Sequence, residues 1–188
     1  MLDEIKTKIR ALTEDIGKSD FETFTYTASS IFTLAEENIN EITKVLKNGV
    51  ELGSGEYSFD STTNKITITA SLTSGNEIEV DYTYYKYSST ELTEYVRASL
   101  VWISIFAYKE GEKDFEIETD EIYPTPENKD ADLIALVSSI LINPDYTSYR
   151  LPNLTVNYNN KLTKEEKIER LVNKFKMGVG VSDVLQFN

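Results

Sequence analysis

Four carboxylates within six residues, Glu116, Glu118, Asp120 and Glu121, are the side chains of this chain best placed to do acid–base chemistry. Glycoside hydrolysis uses such a pair, one carboxyl as acid and the other as nucleophile or base on opposite sides of the scissile bond. Their spacing argues against it. Side chains alternate along a strand, so in the strand that the pattern predicts over Phe115–Thr119, Glu116 and Glu118 share a side with Asp120. That is a ladder of like charge, a solvated or cation-facing surface. The segment also lacks the Asp-x-Asp-x-Asp-Gly loop of a calcium-binding hand.

A second chemical candidate is the aromatic row Tyr82, Tyr84, Tyr85 and Tyr87, whose flat faces could stack on a sugar. Tyrosine is equally a good strand former and cross-strand partner, and that role needs no ligand. Gly53 and Gly55 open no helix and precede no Gly-Lys-Ser/Thr, so they are turn residues and not a phosphate cradle. Asn153-Leu154-Thr155 matches a glycosylation acceptor, a match without weight when no signal peptide precedes it. The chain of 188 residues has no histidine and no cysteine. Histidine-assisted triads, cysteine nucleophiles, thiolate zinc and disulfides are thereby excluded. We expect no enzyme activity, no metal site and no cofactor.

Positioning elements can be read from periodicity. Leu2, Ile5, Ile9, Leu12 and Ile16 form one apolar stripe of a first helix, with Gly17 as its stop. From Phe21 the pattern turns aromatic and β-branched. Ile39 to Leu46 fits helix or strand, but Asn48-Gly49, which favours a type I′ hairpin turn, tips it to strand. Tyr57-Ser58-Phe59 alternates, Asp60 to Asn64 turns, Ile66 to Thr69 alternates, Ser74-Gly75-Asn76 turns, and Ile78, Val80, Tyr82 and Tyr84 recur at period two. Ser88-x-x-Glu91 has the form of a capping box and opens a helix with Leu92, Tyr95, Val96, Leu100, Ile103, Phe106 and Ala107 inward. Trp102 and Ile105 lie outside that stripe, which predicts a central helix covered on more than one side.

Glu110 to Asp132 carries ten acidic residues against Lys113 and Lys129, a local charge of about -8. Past Pro124 and Pro126, Asp130 is placed to cap a short helix with Leu133, Ile134, Leu136, Val137, Ile140 and Leu141. Asp145 to Asn160 reads as an extended arm with much apolar surface: Tyr146, Tyr149, Leu151, Leu154, Val156 and Tyr158. Thr163-x-x-Glu166 caps a last helix bearing Lys164, Lys167, Arg170, Lys174 and Lys176. A tail from Met177, with Val181, Val184, Leu185 and Phe187 and almost no charge, is either frayed or docked on something. An acidic middle and a basic last helix are what head-to-tail packing of identical subunits would use, although surface solvation alone also explains them.

The formal net charge of -13 argues against gripping a nucleic acid, which needs a basic face. No run of about 18 apolar residues suggests a membrane span, and Asp3 and Glu4 stand where a signal peptide would be basic. The chain reads as soluble and made in the cytosol. Its organisation reads as α+β: an N-terminal helix at 1–20, an antiparallel β module at 21–87, and a helical region at 88–188 with acidic strand, extended arm and tail.

Val45-Leu46-Lys47-Asn48-Gly49-Val50-Glu51-Leu52, then Gly55 to Asp60, Ile66-Thr67-Ile68 and Glu77 to Tyr82 resemble a β module recurrent in tailed-phage virion proteins. The frame around it resembles, in layout, the head-tail connector (adaptor) proteins of tailed phages, carrying here an inserted small antiparallel β-sandwich-like module. That resemblance implies a virion neck protein assembled in the host cytoplasm. It implies a homo-oligomeric ring, commonly of twelve copies, docked beneath the portal protein, meeting a tail or stopper protein, with DNA passing through unbound. It further implies that the tail (Met177, Val181, Val184, Leu185, Phe187) reaches the portal. The arm (Tyr146, Tyr149, Leu151, Leu154, Val156, Tyr158) would embrace a neighbour, and Glu116, Glu118, Asp120 and Glu121 would face the channel or a ring contact. The alternative is a β-sandwich that binds glycan through Tyr82 and Tyr84 on a phage tail or cell surface.

Overall fold

A computed structural model describes residues 1–109, 114–178 and 183–187. Helices and antiparallel sheets occur together, so the fold is mixed α+β. The chain divides into two compact units, Ile16–Ser88 on one hand and Met1–Asp15 with Ser89–Asn188 on the other.

The unit Ile16–Ser88 is all β: β1 (Lys18–Thr25), β2 (Ile31–Thr33), β3 (Ile39–Lys47), β4 (Val50–Glu51), β5 (Tyr57–Asp60), β6 (Lys65–Ile68) and β7 (Glu77–Tyr84). They form two antiparallel sheets, ordered β1-β7-β3-β4 and β2-β6-β5. Alternation explains the core. Ile78, Val80 and Tyr82 project from one face of β7, Val45 from β3 and Ile66 and Ile68 from β6, and they meet Phe32, Leu34 and Ile39 in one cluster. Each fully buried aliphatic there is worth about 1.5–3 kcal/mol. The segment that fits either helix or strand is strand β3, closed by Asn48 and Gly49 at φ 50° and 78°, the left-handed pair that a type I′ turn requires. At the β5–β6 turn Asp60 accepts from Thr62 N at 2.9 Å and from the Thr63 hydroxyl at 2.7 Å.

The other unit contains α1 (Leu2–Leu12), α2 (Ser89–Ile105), β8 (Glu116–Glu118), β9 (Glu121–Tyr123), α3 (Asn128–Ile142), β10 (Ser148–Leu151), β11 (Leu154–Tyr158), α4 (Lys164–Lys176) and β12 (Asp183–Phe187). Four features differ from the sequence expectation. Helix α1 ends at Leu12 and not at Gly17, because Glu14 takes φ 56°, outside the right-handed helical region. Ile16 therefore leaves the stripe and is 75% exposed. The central helix is α3, not α2: Ala131 and every residue from Leu133 to Ile140 are buried, with α1, α2 and α4 packed around it. Ser138 and Ser139 survive there by donating to Ile134 O and Ala135 O, both at 2.8 Å.

Asp130 does not stand at the N-cap of α3. Glu127 does, and Asp130 completes the capping box from the third helical position. The predicted box at α4 forms as drawn, Thr163 Oγ accepting from Glu166 N at 3.3 Å and the Glu166 carboxylate from Thr163 N at 2.8 Å. Finally, the extended segment is a hairpin: β10 pairs antiparallel with β11, and β12 adds in parallel to β11's other edge.

Candidate interaction surfaces

The acidic residues sit on a two-stranded hairpin, β8 with β9, whose turn is Thr119 and Asp120 at φ 49° and 64°. Asp120 is thus in the turn and not the third rung of a strand ladder. Glu118 faces Glu121 across the hairpin, and Glu116, Glu118, Asp120 and Glu121 are all exposed. Ile122, 2% exposed, anchors the hairpin to its unit. Among the described residues no group of three or more His, Cys, Asp or Glu is disposed to hold a metal ion.

The six apolar side chains of the expected arm have a different fate. Tyr149, Leu151, Leu154, Val156 and Tyr158 are buried inside their own unit, and Tyr146 alone of the six is exposed. Alternation along β10 and β11 drives this, since Tyr149 and Leu151 on one strand and Leu154, Val156 and Tyr158 on the other share an inward face. Tyr149 meets Tyr158 edge to face at 6.1 Å and donates its hydroxyl to Asn143 O at 2.7 Å. Burial pushes both hydroxyls well above the ordinary tyrosine range, and that of Tyr158 has no hydrogen-bond partner among the described residues. Beside them Lys167, 2% exposed, donates to Pro144 O at 2.5 Å and Tyr146 O at 3.0 Å, joining α4 to the α3–β10 turn. Burial pulls its pKa below that of a free lysine, partly opposed by Asp145.

The tail is likewise partly spent within the chain. Leu185 is 5% exposed and the Phe187 ring stacks on Tyr158 at 5.1 Å, whereas Met177 and Val184 are 82% and 63% exposed. Val181 lies outside the described residues, as do Glu110, Glu112 and Lys113 of the acidic stretch. Of the tyrosine row, Tyr82 is 1% exposed, and its hydroxyl donates at 2.7 Å to Glu22, which also accepts from Ala35 N. Tyr82 and Tyr84 lie 6.3 Å apart on the core face of β7, so the row does not form one exposed stacking platform.

The surface that the sequence did not mark is a groove of about 650 Å³ between α2 and β8. Leu100, Val101 and Ile105 from α2 and Phe115 and Ile117 from the β8 segment make it apolar; Arg97, Ser104, Asp114 and Glu116 complete its lining. The Ser104 hydroxyl donates to Asp114 at 2.8 Å. Val101 and Ile105 are 60% and 63% exposed. The signal was partly present, since Ile105 falls outside the helical stripe, but its covering does not come from the described part of this chain. Deeper in, Asp130 is 1% exposed and takes Lys109 at 3.0 Å and the Tyr108 hydroxyl at 2.8 Å, tying the end of α2 to the start of α3.

Among the described residues no helix is long and apolar enough to cross a membrane. Compared with known proteins, the chain matches no family model and no curated protein.

Proposed function

We propose that this is a structural virion protein, a head-tail connector that assembles as a ring beneath the portal and joins capsid to tail. The observation that carries the proposal is an architecture made for surfaces. A helical unit built round α3 leaves an apolar groove open on α2, and a β-sandwich is inserted between α1 and α2 in the sequence. The absence of histidine and cysteine leaves few catalytic designs, and the exposed carboxylates of β8 and β9 are a surface charge rather than a paired acid and base. A net charge of -13 suits a conduit that a polyanion must slide along without sticking.

The mechanism is avidity. Interfaces too weak to hold a pair become a stable collar once each subunit contacts two neighbours and the ring closes. The portal-facing surface, on this proposal, includes the exposed Met177 and Val184. Leu185 and Phe187 serve to hold the tail strand on β11. The test is native mass spectrometry of the purified protein with and without the portal, at low and moderate salt. A ring, alone or only on the portal, supports the proposal; a monomer indifferent to the portal refutes it.

A further inference from the structure

Strand β12 is the last strand of the chain and lies at the edge of its sheet. It pairs in parallel with β11, which among the described residues is its only substantial neighbour. The contacts that hold it there are specific. Leu185, 5% exposed, stands opposite Val156, the Phe187 ring stacks on that of Tyr158 at 5.1 Å, and Phe187 O accepts from Asn159 N at 2.8 Å. The open side of β11 is thus a slot built for one five-residue strand.

The chain's exit from α4 towards that strand is, by contrast, loosely packed. Met177 is 82% exposed, Gly178 stands at φ 91°, and a Cβ placed on Gly178 would meet nothing within 4 Å. Glycine takes φ of either sign at no steric cost, so the direction in which the chain leaves α4 can change here without displacing a neighbour. A specific slot, a terminal edge strand to fill it and a pivot before that strand are the parts that strand exchange needs.

We propose that β12 is exchanged between adjacent copies, the slot on β11 of one copy receiving β12 of the next. The occupant is identified by the fold itself. A second copy's β12 makes in that slot the contacts that the chain's own strand makes, with Leu185 opposite Val156 and Phe187 on Tyr158. Exchange therefore gives up no contact, and what opposes it is the freedom lost on association. In a dilute monomer the chain's own strand wins, because its short join to α4 holds it near the slot at an effective concentration of about 1 mM. Crowding the copies together reverses that balance. Each copy gives one strand and receives one, a heterologous contact that a ring of copies closes. This deepens the connector proposal and rests on it for the ring, although the exchange itself needs no portal.

Paired cysteines test it, since the chain has none of its own. Thr155 and Val184 are partners in the β11–β12 register, on the side away from the buried Leu154, Val156 and Leu185. Adjacent strands bring such a pair within reach of a disulfide. The full-length single variants Thr155→Cys and Val184→Cys are mixed, held at about 10 μM or about 1 mM, and oxidised mildly. No chain then carries both cysteines. A disulfide between positions 155 and 184, identified by peptide mass after a non-reducing gel, forms only where β12 of one copy meets β11 of another. Thr155→Cys mixed with Lys129→Cys, at an exposed position on α3, gives the background of chance collision. Circular dichroism checks that each variant is folded. The 155–184 yield at about 1 mM is expected to exceed both that background and the yield at about 10 μM by at least about tenfold. A smaller excess overturns the exchange, and rings that still form with the portal would then leave the connector proposal standing. Exchange at the expected yield in a chain that forms no ring with or without the portal would uphold the strand exchange and overturn the connector.

Discussion

Replacing Asp130 removes more than a helix cap. Its carboxylate, 1% exposed, accepts from Glu127 N at 3.2 Å and the Tyr108 hydroxyl at 2.8 Å and pairs with Lys109 at 3.0 Å. In Asp130→Ala the lost cap costs about 1 kcal/mol. The Tyr108 bond to a charged acceptor adds about 1.5–3 kcal/mol. Lys109, whose side chain is 22% exposed, is left without this carboxylate but regains some water, so we add about 1 kcal/mol rather than the full penalty for a buried charge. The sum is about 4 kcal/mol. Asp130→Asn keeps an acceptor of the same shape and loses mainly the charge, costing about half as much. Urea denaturation of the full chain, followed by fluorescence of its single tryptophan, Trp102 on α2, reads the unit concerned. With a slope of about 2 kcal/mol/M, Asp130→Ala should lower the midpoint by about 2 M and Asp130→Asn by about 1 M. An Asp130→Ala midpoint within about 0.3 M of the wild type would refute the assignment of Asp130 as the tie between α2 and α3.

The buried tyrosines predict an alkaline limit. Tyr82, Tyr149 and Tyr158 have folded pKa values raised by burial, so their contribution is intact below the unfolded value of about 10. Above it the unfolded chain sheds protons that the fold retains, and each tyrosine removes about 1.4 kcal/mol of stability per pH unit. Lys167, with its lowered value, gains stability as pH rises towards that of free lysine, a gain complete near that value and so no offset to the tyrosine loss at higher pH. Tyr158→Phe should therefore be neutral or slightly stabilising at neutral pH, since its hydroxyl is unpartnered among the described residues, and should flatten the loss above about pH 10; urea midpoints across that range decide it. Leu185→Ala should destabilise the helical unit by about 2–3 kcal/mol if β12 is packed on β11. A tail held only by a partner would show no change in the isolated protein.

Strong local signals were legible in the sequence, whereas weak local ones and non-local ones were not. Asn48-Gly49, the alternation of Ile78, Val80 and Tyr82 and the Thr163–Glu166 box are each complete within a few residues, and each forms as its chemistry dictates. The β8–β9 hairpin turns on Thr119-Asp120, residues that rarely signal a left-handed pair, so its second strand was missed. The β10–β11 hairpin turns on Pro152-Asn153, and the alternation of Tyr149, Leu151, Leu154, Val156 and Tyr158 was present in the sequence. What was missing was a partner: β12 reaches β11 from beyond α4, and pairing across that distance leaves no mark on either strand. Helix α3 was underrated for a related reason. Apolar residues on every side have no stripe, and burial by three other helices is a property of the assembly, not of the segment. The groove on α2 was half visible in Ile105, but Phe115 and Ile117, which complete it, belong to a different element.

The first and last strands of the β unit are neighbours, with Lys18 opposite Tyr84 in the register of β1 and β7. The chain therefore leaves the helical unit and returns to it through two strands whose outer ends are about 5 Å apart. A fold that opens and closes at one point behaves as a cassette. Bridging the gap takes only a few residues, so the module can be lost, gained or exchanged in a lineage without altering the spacing of the helices that flank it. Selection can then reshape what this unit touches while leaving the rest of the protein alone.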